Sequence, residues 1–440
     1  MKLKIILHCL LLTVFAPCFA QEISESRIKE ISESLPSHTT GYTAPIDDRS
    51  VWGELADDAA FQKIITQGES LLTKPFPFWN DSLIMQYPKT GNRVTPDRMM
   101  SNRGTRLMML VYAEALQNQG RFLKAIDRAL NEICTQPTWV GVAHDRNLDN
   151  FWGRESHVDL NSSNMADNLG QTLYILGSRL DSLTIARVRH ELDRRVYQPV
   201  LKSIRQRDFL SGKHYWFEVK NNWNLVCLAG VTNSALAVIE DVELRAEFIA
   251  AAEHYIQFGL DGFMEDGYCV EGVGYYNYGF TFFLYLREGV CRATSGAVEL
   301  FEHPSMQQIA TYGQRSEIIN GVYPAISDCK LGSVPSPWIQ WYCNRAYGWD
   351  NSSIDQRGEN FYGNNRNLDL LISRFSHAPY NGSQTTTQQS QNQLRSYFDK
   401  AGVVTLRPQP AERDQALAIT IKGGHNGESH NHNDVGSYTI

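Results

Sequence analysis

The side chains best suited to chemistry lie close together near residue 430. Gly423–Tyr438 reads Gly-Gly-His-Asn-Gly-Glu-Ser-His-Asn-His-Asn-Asp-Val-Gly-Ser-Tyr, which places His425, His430, His432 and Asp434 within ten residues. In an extended chain successive side chains alternate between faces. On that geometry His430, His432 and Asp434 share one face, and Asn431 and Asn433 share the other. Two imidazoles beside a carboxylate suit metal ligation or proton transfer. The competing reading is a polar loop whose histidines are merely solvated.

Three further stretches carry polar groups in suggestive patterns. Lys220-Asn221-Asn222-Trp223-Asn224 opens a helical pattern. Asn221 or Asn222 suits its N-cap, and the amides and free N–H groups there favour an anion. Capping alone is the plainer account. Glu265–Gly279 holds Glu265, Asp266 and Glu271 with Tyr268, Tyr275, Tyr276 and Tyr278, and it reads as a loop running into a helix. A tyrosine can serve as general acid or base when its surroundings adjust its pKa. The alternative is an aromatic core plug, which fits Tyr276 best. Asp97–Arg106 supplies Arg98, Arg103 and Arg106 at a helix entrance, suited to bidentate carboxylate recognition. A solvated helix start accounts for at least one of them.

These residues need a scaffold, and periodicity predicts a helical one from about Ser24 to His377. Leu107, Leu110, Ala113 and Leu116 recur at three-residue steps within 105–119. Helices follow over 121–134, 164–180, 182–197 with Pro199 marking the end, 222–239, 243–258 and roughly 275–290. The 222–239 segment carries Leu225, Leu228, Thr232, Leu236 and Ile239 on one face. Helices in successive pairs suggest an α/α arrangement, either a bundle or a toroid. The polar run 383–393 reads as a linker. Beyond it, 396–406, 416–422 and 438–440 are β-like. The sequence stops in what reads as mid-strand, so a truncated β domain over 394–440 is expected.

Composition narrows the class. Residues 1–20 have a basic start, an apolar stretch from Ile5 to Phe15 and a small-residue cleavage site, which is the pattern of a secretory signal. No later apolar run is long enough to span a membrane. A soluble protein, periplasmic or secreted, is the expectation. The formal charge is −7, and −9 once Lys2 and Lys4 leave with the signal, which argues against a broadly basic nucleic-acid binder. Cys134, Cys227, Cys269, Cys291, Cys329 and Cys343 lack metal-ligand spacing and read as buried free thiols. A 42% hydrophobic chain of this length can bury a large core.

Taken together, three motifs resemble the heparinase II/III-like polysaccharide lyases, a family that includes alginate and oligo-alginate lyases. They are Asn-Asn-Trp-Asn at 221–224, the Asp266–Gly279 run ending Tyr-Gly, and His-Asn-His-Asn-Asp-Val-Gly-Ser-Tyr at 430–438. The resemblance spans about 97 to 440. It implies an (α/α) toroid over 21–382, followed by the beginning of an antiparallel β-sandwich domain over 394–440. It also implies β-elimination of an acidic, uronic-acid polysaccharide or oligosaccharide. Asn222 matches the position that neutralises the uronate carboxylate, although Trp223 follows where some members have histidine. Tyr278 matches the catalytic tyrosine, with Tyr275 close enough to be its equivalent. His430 matches the catalytic histidine. His432 matches a histidine that binds a structural zinc in some members, the other ligands then lying past Ile440. Arg103, Trp223, Glu271 and Asn221 are the expected substrate-binding residues.

The chemistry explains this set. The C5 proton of a uronate is alpha to a carboxylate whose charge hardly acidifies it, so donors must stabilise the dianion-like intermediate. That falls to Asn222, helped by an arginine such as Arg103. Tyr278 and His430 then divide the acid and base roles. Two rivals stand beside this reading. One is a toroid glycoside hydrolase using Asp266 and Glu271. The other is a non-catalytic glycan-binding protein using Trp216, Trp223 and Tyr276.

Overall fold

In a computed structural model, the described residues are 23–210, 213–354, 366–376, 379–380, 394–412 and 416–440. The signal and the linker expected at 383–393 lie outside them. The protein is mainly helical, with one small antiparallel sheet in the C-terminal region.

The central element is the Asn222–Val238 helix. It packs against Leu160–Leu176, Val242–Leu260 and Gly272–Ala293. The sequence pattern predicted one apolar face, but every residue from Asn224 to Val238 is buried. A helix surrounded by other helices has no solvent face to reserve for polar groups. Its polar side chains are instead bonded to neighbours: Asn224 Nδ2 donates to the carbonyls of Trp216, Phe217 and Tyr255, and Ser234 Oγ donates to the Ala166 carbonyl.

Most predicted helices form, with shifted ends. The helix expected from Thr105 begins at Val94 and runs to Gln117. Pro199 does not end its helix. Ser182–Leu192 passes through a wide turn at Asp193–Tyr197 into Gln198–Gln206, where Pro199 sits in the first turn. The Gln198 N–H reaches back to the Asp193 carbonyl, and proline's missing donor is tolerated at the start of the new segment. The six cysteines from Cys134 to Cys343 are buried and free, as expected.

The sheet is a meander, β1 (Arg395–Phe398), β2 (Val403–Leu406), β3 (Ile419–Lys422) and β4 (Tyr438–Thr439), each antiparallel to the next. It is anchored to the helical body through Phe398, whose ring lies 5.1 Å from Tyr268 and 5.8 Å from Tyr312, with the Arg315 guanidinium 4.3 Å from its centroid. Among the described residues, no helix is long and apolar enough to cross a membrane.

Candidate active site

The histidine-rich segment is the loop joining β3 to β4, not an extended strand. His430 and Asn433 have φ of 58° and 63°, in the left-handed region where Asn and His are tolerated better than most residues. The asparagines build the turns. Asn431 Oδ1 accepts from the N–H groups of Asn433 at 2.7 Å and Asp434 at 3.2 Å, and Asn426 Oδ1 accepts from Val435 N–H. A buried ion pair fastens the loop to its sheet: Lys422 Nζ lies 2.7 Å from Glu428 Oε1 and donates to the Ala401 carbonyl.

The expected common face for His430, His432 and Asp434 is therefore only partly realised. The two histidines converge on one residue the sequence did not reveal, Asp328. His430 Nδ1 lies 2.5 Å from Asp328 Oδ2, and His432 Nε2 lies 2.7 Å from Asp328 Oδ1. Asp434 turns back on the backbone, accepting from the N–H groups of Ser327 and His432. Burial raises the Asp328 carboxyl, but the hydrogen bonds from His432 and His430 outweigh it and hold it below the usual carboxylate range.

His430 also joins the other two motifs. Its Nε2 lies 2.9 Å from Glu271 Oε1, and its ring is 5.3 Å from that of Tyr275. Glu271 Oε2 accepts from Asn222 Nδ2 at 3.2 Å. Burial pushes the Glu271 carboxyl up; the Asn222 hydrogen bond and His430 pull it back without cancelling the rise. With Nδ1–H donating to Asp328, Nε2 is the imidazole nitrogen that faces Glu271.

The helix starts place these groups. Asn221 is the N-cap of Asn222–Val238, its Oδ1 accepting from Trp223 N–H at 3.0 Å. It is thus engaged in capping, and Asn222 holds the first helical position. Gly272 follows Glu271 with φ of 83°, the left-handed turn that starts the next helix. Gly279 allows that helix to meet Asn222: a Cβ there would come within 3.1 Å of the Asn222 Cβ. The Tyr278-Gly279 pair thus has a packing reason.

Tyr275 and Tyr278 are both half-buried, but they serve different surroundings. Tyr275 meets His430. Tyr278 is hydrogen-bonded with Asn164 and lines a cavity of 470 Å³. Burial, then Cys227 and Asp159, raise the Tyr278 hydroxyl well above its ordinary range, and Asn164 opposes this. Burial, then Asp328 and Glu271, raise Tyr275 as well, while Arg93 opposes the rise.

Several of the predicted side chains are engaged elsewhere or buried. Arg103 is buried, its guanidinium bonded to Gln136, the Glu132 carbonyl and the Pro77 carbonyl. It ties the segments at 77, 132 and 136 to the Val94–Gln117 helix, and its burial keeps it away from solvent. Asp266 is also engaged, accepting from the N–H groups of Tyr268 and Lys400, so it makes no free carboxylate pair with Glu271. Trp216 and Tyr276 are buried in the core and cannot stack on a glycan. Trp223 is partly buried against His144, ring centroids 4.5 Å apart. His144, bonded to Asp159 at 2.6 Å, is a neighbour of the site that no sequence motif announced.

Among the described residues no three His, Cys, Asp or Glu side chains are grouped to hold a metal. His432 Nε2 is a partner of Asp328. Compared with models of known protein families and with curated proteins, the chain matches none.

Proposed function

We propose that this chain is an exported polysaccharide lyase of the heparinase II/III-like kind, built on an (α/α) toroid with a β-sandwich-type domain, and that it cleaves a uronic-acid glycan by β-elimination. One observation carries the reading. His430 reaches Glu271 and, through it, Asn222, while Tyr275 and Tyr278 rise from the helix that starts at Gly272. His430, Asn222 and Tyr275 thus gather around Glu271, and Tyr278, three residues on along the same helix, lines the cavity.

Each group has a role consistent with its surroundings. Asn222 gives one N–H to Glu271 and keeps a second for the substrate carboxylate. His430 Nε2, oriented by Asp328, takes the C5 proton. The raised hydroxyl of Tyr278 disfavours phenolate, so Tyr278 serves as the acid that protonates the departing O4. The C5–H and C4–O bonds break and C4=C5 forms. One proton goes to His430 and another from Tyr278 to the leaving oxygen. Tyr275 packs on His430 and positions it. The hydrolase alternative loses support because Asp266 is bound to backbone.

The test is production of ultraviolet-absorbing unsaturated ends from a panel of uronic glycans. Tyr278→Phe and His430→Ala should each lower turnover about a thousandfold or more while substrate binding persists. Tyr275→Phe should keep measurable activity. Reducing ends without ultraviolet absorbance would replace this reading with hydrolysis.

A further inference from the structure

Trp139 lines two cavities. One is the cavity beside Tyr278. The other, of 270 Å³, is walled by the segments 137–140 and 153–157 and by Asn150, Ser162, Arg194 and Arg195. None of His430, Asn222, Glu271, Tyr275 and Tyr278 lines this second cavity. Its wall includes His157, which is only 8% exposed. The neighbours of His157 fix its tautomer. Asn150 Oδ1 accepts from His157 N–H at 3.0 Å, so the Asn150 amide nitrogen is the atom that meets His157 Nδ1, at 2.7 Å. That nitrogen can only donate, so Nδ1 accepts and the ring hydrogen sits on Nε2. Burial lowers the imidazole's pKa, which keeps this neutral form at pH 7. Nε2–H has no acceptor among the described residues. A buried donor left without a partner is costly, and a ligand that accepts from it relieves that cost.

Cations complete the wall. Arg194 and Arg195 come from the wide turn Asp193–Tyr197, and both bond the same oxygen of Glu191, at 2.6 and 2.5 Å. Successive side chains of a regular helix do not face each other, and wide turns of this kind recur at functional sites. Arg195 is committed to Glu191 and to the carbonyls of Cys134 and Gln136, its guanidinium 4.7 Å from the Trp139 ring centroid. Arg194 and Arg154 are committed only in part, to Glu191 and to Asp149 with the Asn147 carbonyl, and each keeps a nitrogen with no partner among the described residues. Glu155, the acidic residue on this wall, pairs with Lys213. Arg154, Arg194, Arg195 and Lys213 thus meet Asp149, Glu155 and Glu191, which leaves one positive charge in surplus.

We propose that this cavity binds inorganic phosphate, at a site separate from the proposed lyase site and independent of the lyase reading. The phosphate oxygens accept from His157 Nε2–H, from the Ser156 hydroxyl and from the open nitrogens of Arg154 and Arg194. Glu155 sorts the anions. Hydrogenphosphate keeps a P–O–H at neutral pH and can donate it to a carboxylate, whereas sulfate and an ionised carboxylate have no proton to give. They would meet Glu155 as like charges. A volume of 270 Å³ also leaves room for waters around the anion, at about 30 Å³ each.

Calorimetry on the full chain at pH 7 and fixed ionic strength tests this with inorganic phosphate, sulfate and a short uronate oligosaccharide. Phosphate should saturate one site per chain with a dissociation constant of about 1 mM or less, the level that a few charge-assisted hydrogen bonds support. Sulfate should bind about tenfold or more weakly, and Glu155→Gln, whose amide can donate, should bring it within about threefold of phosphate. Arg194→Ala, at an exposed position, should weaken phosphate about tenfold. His157→Leu should do the same, while His157→Gln, which keeps a donor, should stay within about threefold of the unaltered chain. If the buried leucine prevents folding, Arg194→Ala and Glu155→Gln still decide the matter. Equal binding of sulfate and phosphate overturns the phosphate assignment. Unchanged phosphate affinity in Arg194→Ala overturns the location. Displacement of phosphate by the oligosaccharide overturns the separate site and gives the cavity to the glycan. None of these results bears on the lyase reading, which the unsaturated-product assay tests.

Discussion

Two histidine–carboxylate clusters flank the start of the Asn222–Val238 helix, and they are built in opposite ways. The His144–Asp159 pair is local. Asp159 is buried, caps the Leu160–Leu176 helix in a reciprocal capping box with Ser162, and accepts from Gly141 N–H and from His144, a partner 15 residues away. Burial would raise its carboxyl, but the His144 bond and the backbone donors hold it low. His214 supports the same region, its Nε2 accepting from Val158 N–H and its Nδ1 bonded to Ser203 Oγ. The His430–Asp328–His432 cluster is assembled from afar. Asp328 is 30% exposed, and its partners lie 102 and 104 residues away. The same pair of residue types is architecture in one place and a solvent-touching, adjustable contact in the other.

That contrast can be broken experimentally. Asp159→Ala should cost about 3 kcal/mol of stability, since it strips a helix cap and leaves a buried partner unpaired. Urea unfolding measures this, and a loss below about 1 kcal/mol would place Asp159 with the adjustable group. Asn222→Ala, between the clusters, should lower turnover about a hundredfold with helical circular dichroism retained. Near-normal turnover in the folded variant removes Asn222 from the mechanism. Asp328→Asn should cost roughly fivefold in kcat, the worth of one exposed pair of about 1 kcal/mol, with unfolding unchanged. A stability loss as large as that of Asp159→Ala would erase the distinction.

Acid should reveal the first region before the second. Burial pushes the His214 imidazole down from 6.5 to about 3. The unfolded chain therefore binds the extra proton first, so His214's contribution is complete above pH 6.5 and is lost as pH falls toward 3. Asp167, pushed up to about 7 by burial, acts in the opposite sense between 3.8 and 7. Comparing the chain with His214→Gln separates the two. The variant's melting temperature should fall less between pH 6.5 and 4, by a few degrees. Parallel slopes would show that His214 does not carry the acid sensitivity.

The sequence was readable where local rules decide. Helical periodicity located most helices because their buried faces recur every turn. A cap at Asn221 or Asn222 was legible from their place before an apolar run, and Asn221 is the one that caps; Tyr276 was legible as core from the apolar run beside it. It misled where one residue's chemistry depends on distant chain. Arg103 looked like a free cation, yet its guanidinium is consumed by Gln136 and by carbonyls at 77 and 132. Pro199 looked like a stop because a wide turn just before it cannot be read from composition. His430–Asp434 alternates like a strand, but Asn431 and Asn426 fold it into turns. Asp328 had no motif at all; only the docked loop gives it a role.

The reach of that loop has a consequence for when the proposed activity would appear. The helical body joins neighbours in sequence, such as Asn222–Val238 with Val242–Leu260, as well as distant segments, such as Glu25–Ser34 with Val242–Leu260. The contact between His430 and Asp328 closes 102 residues of chain, and long-range closure is entropically late. During refolding, far-ultraviolet ellipticity should thus recover ahead of function. A newly made chain would be nearly complete in shape while still chemically silent, and turnover would serve as a clock for the final docking event.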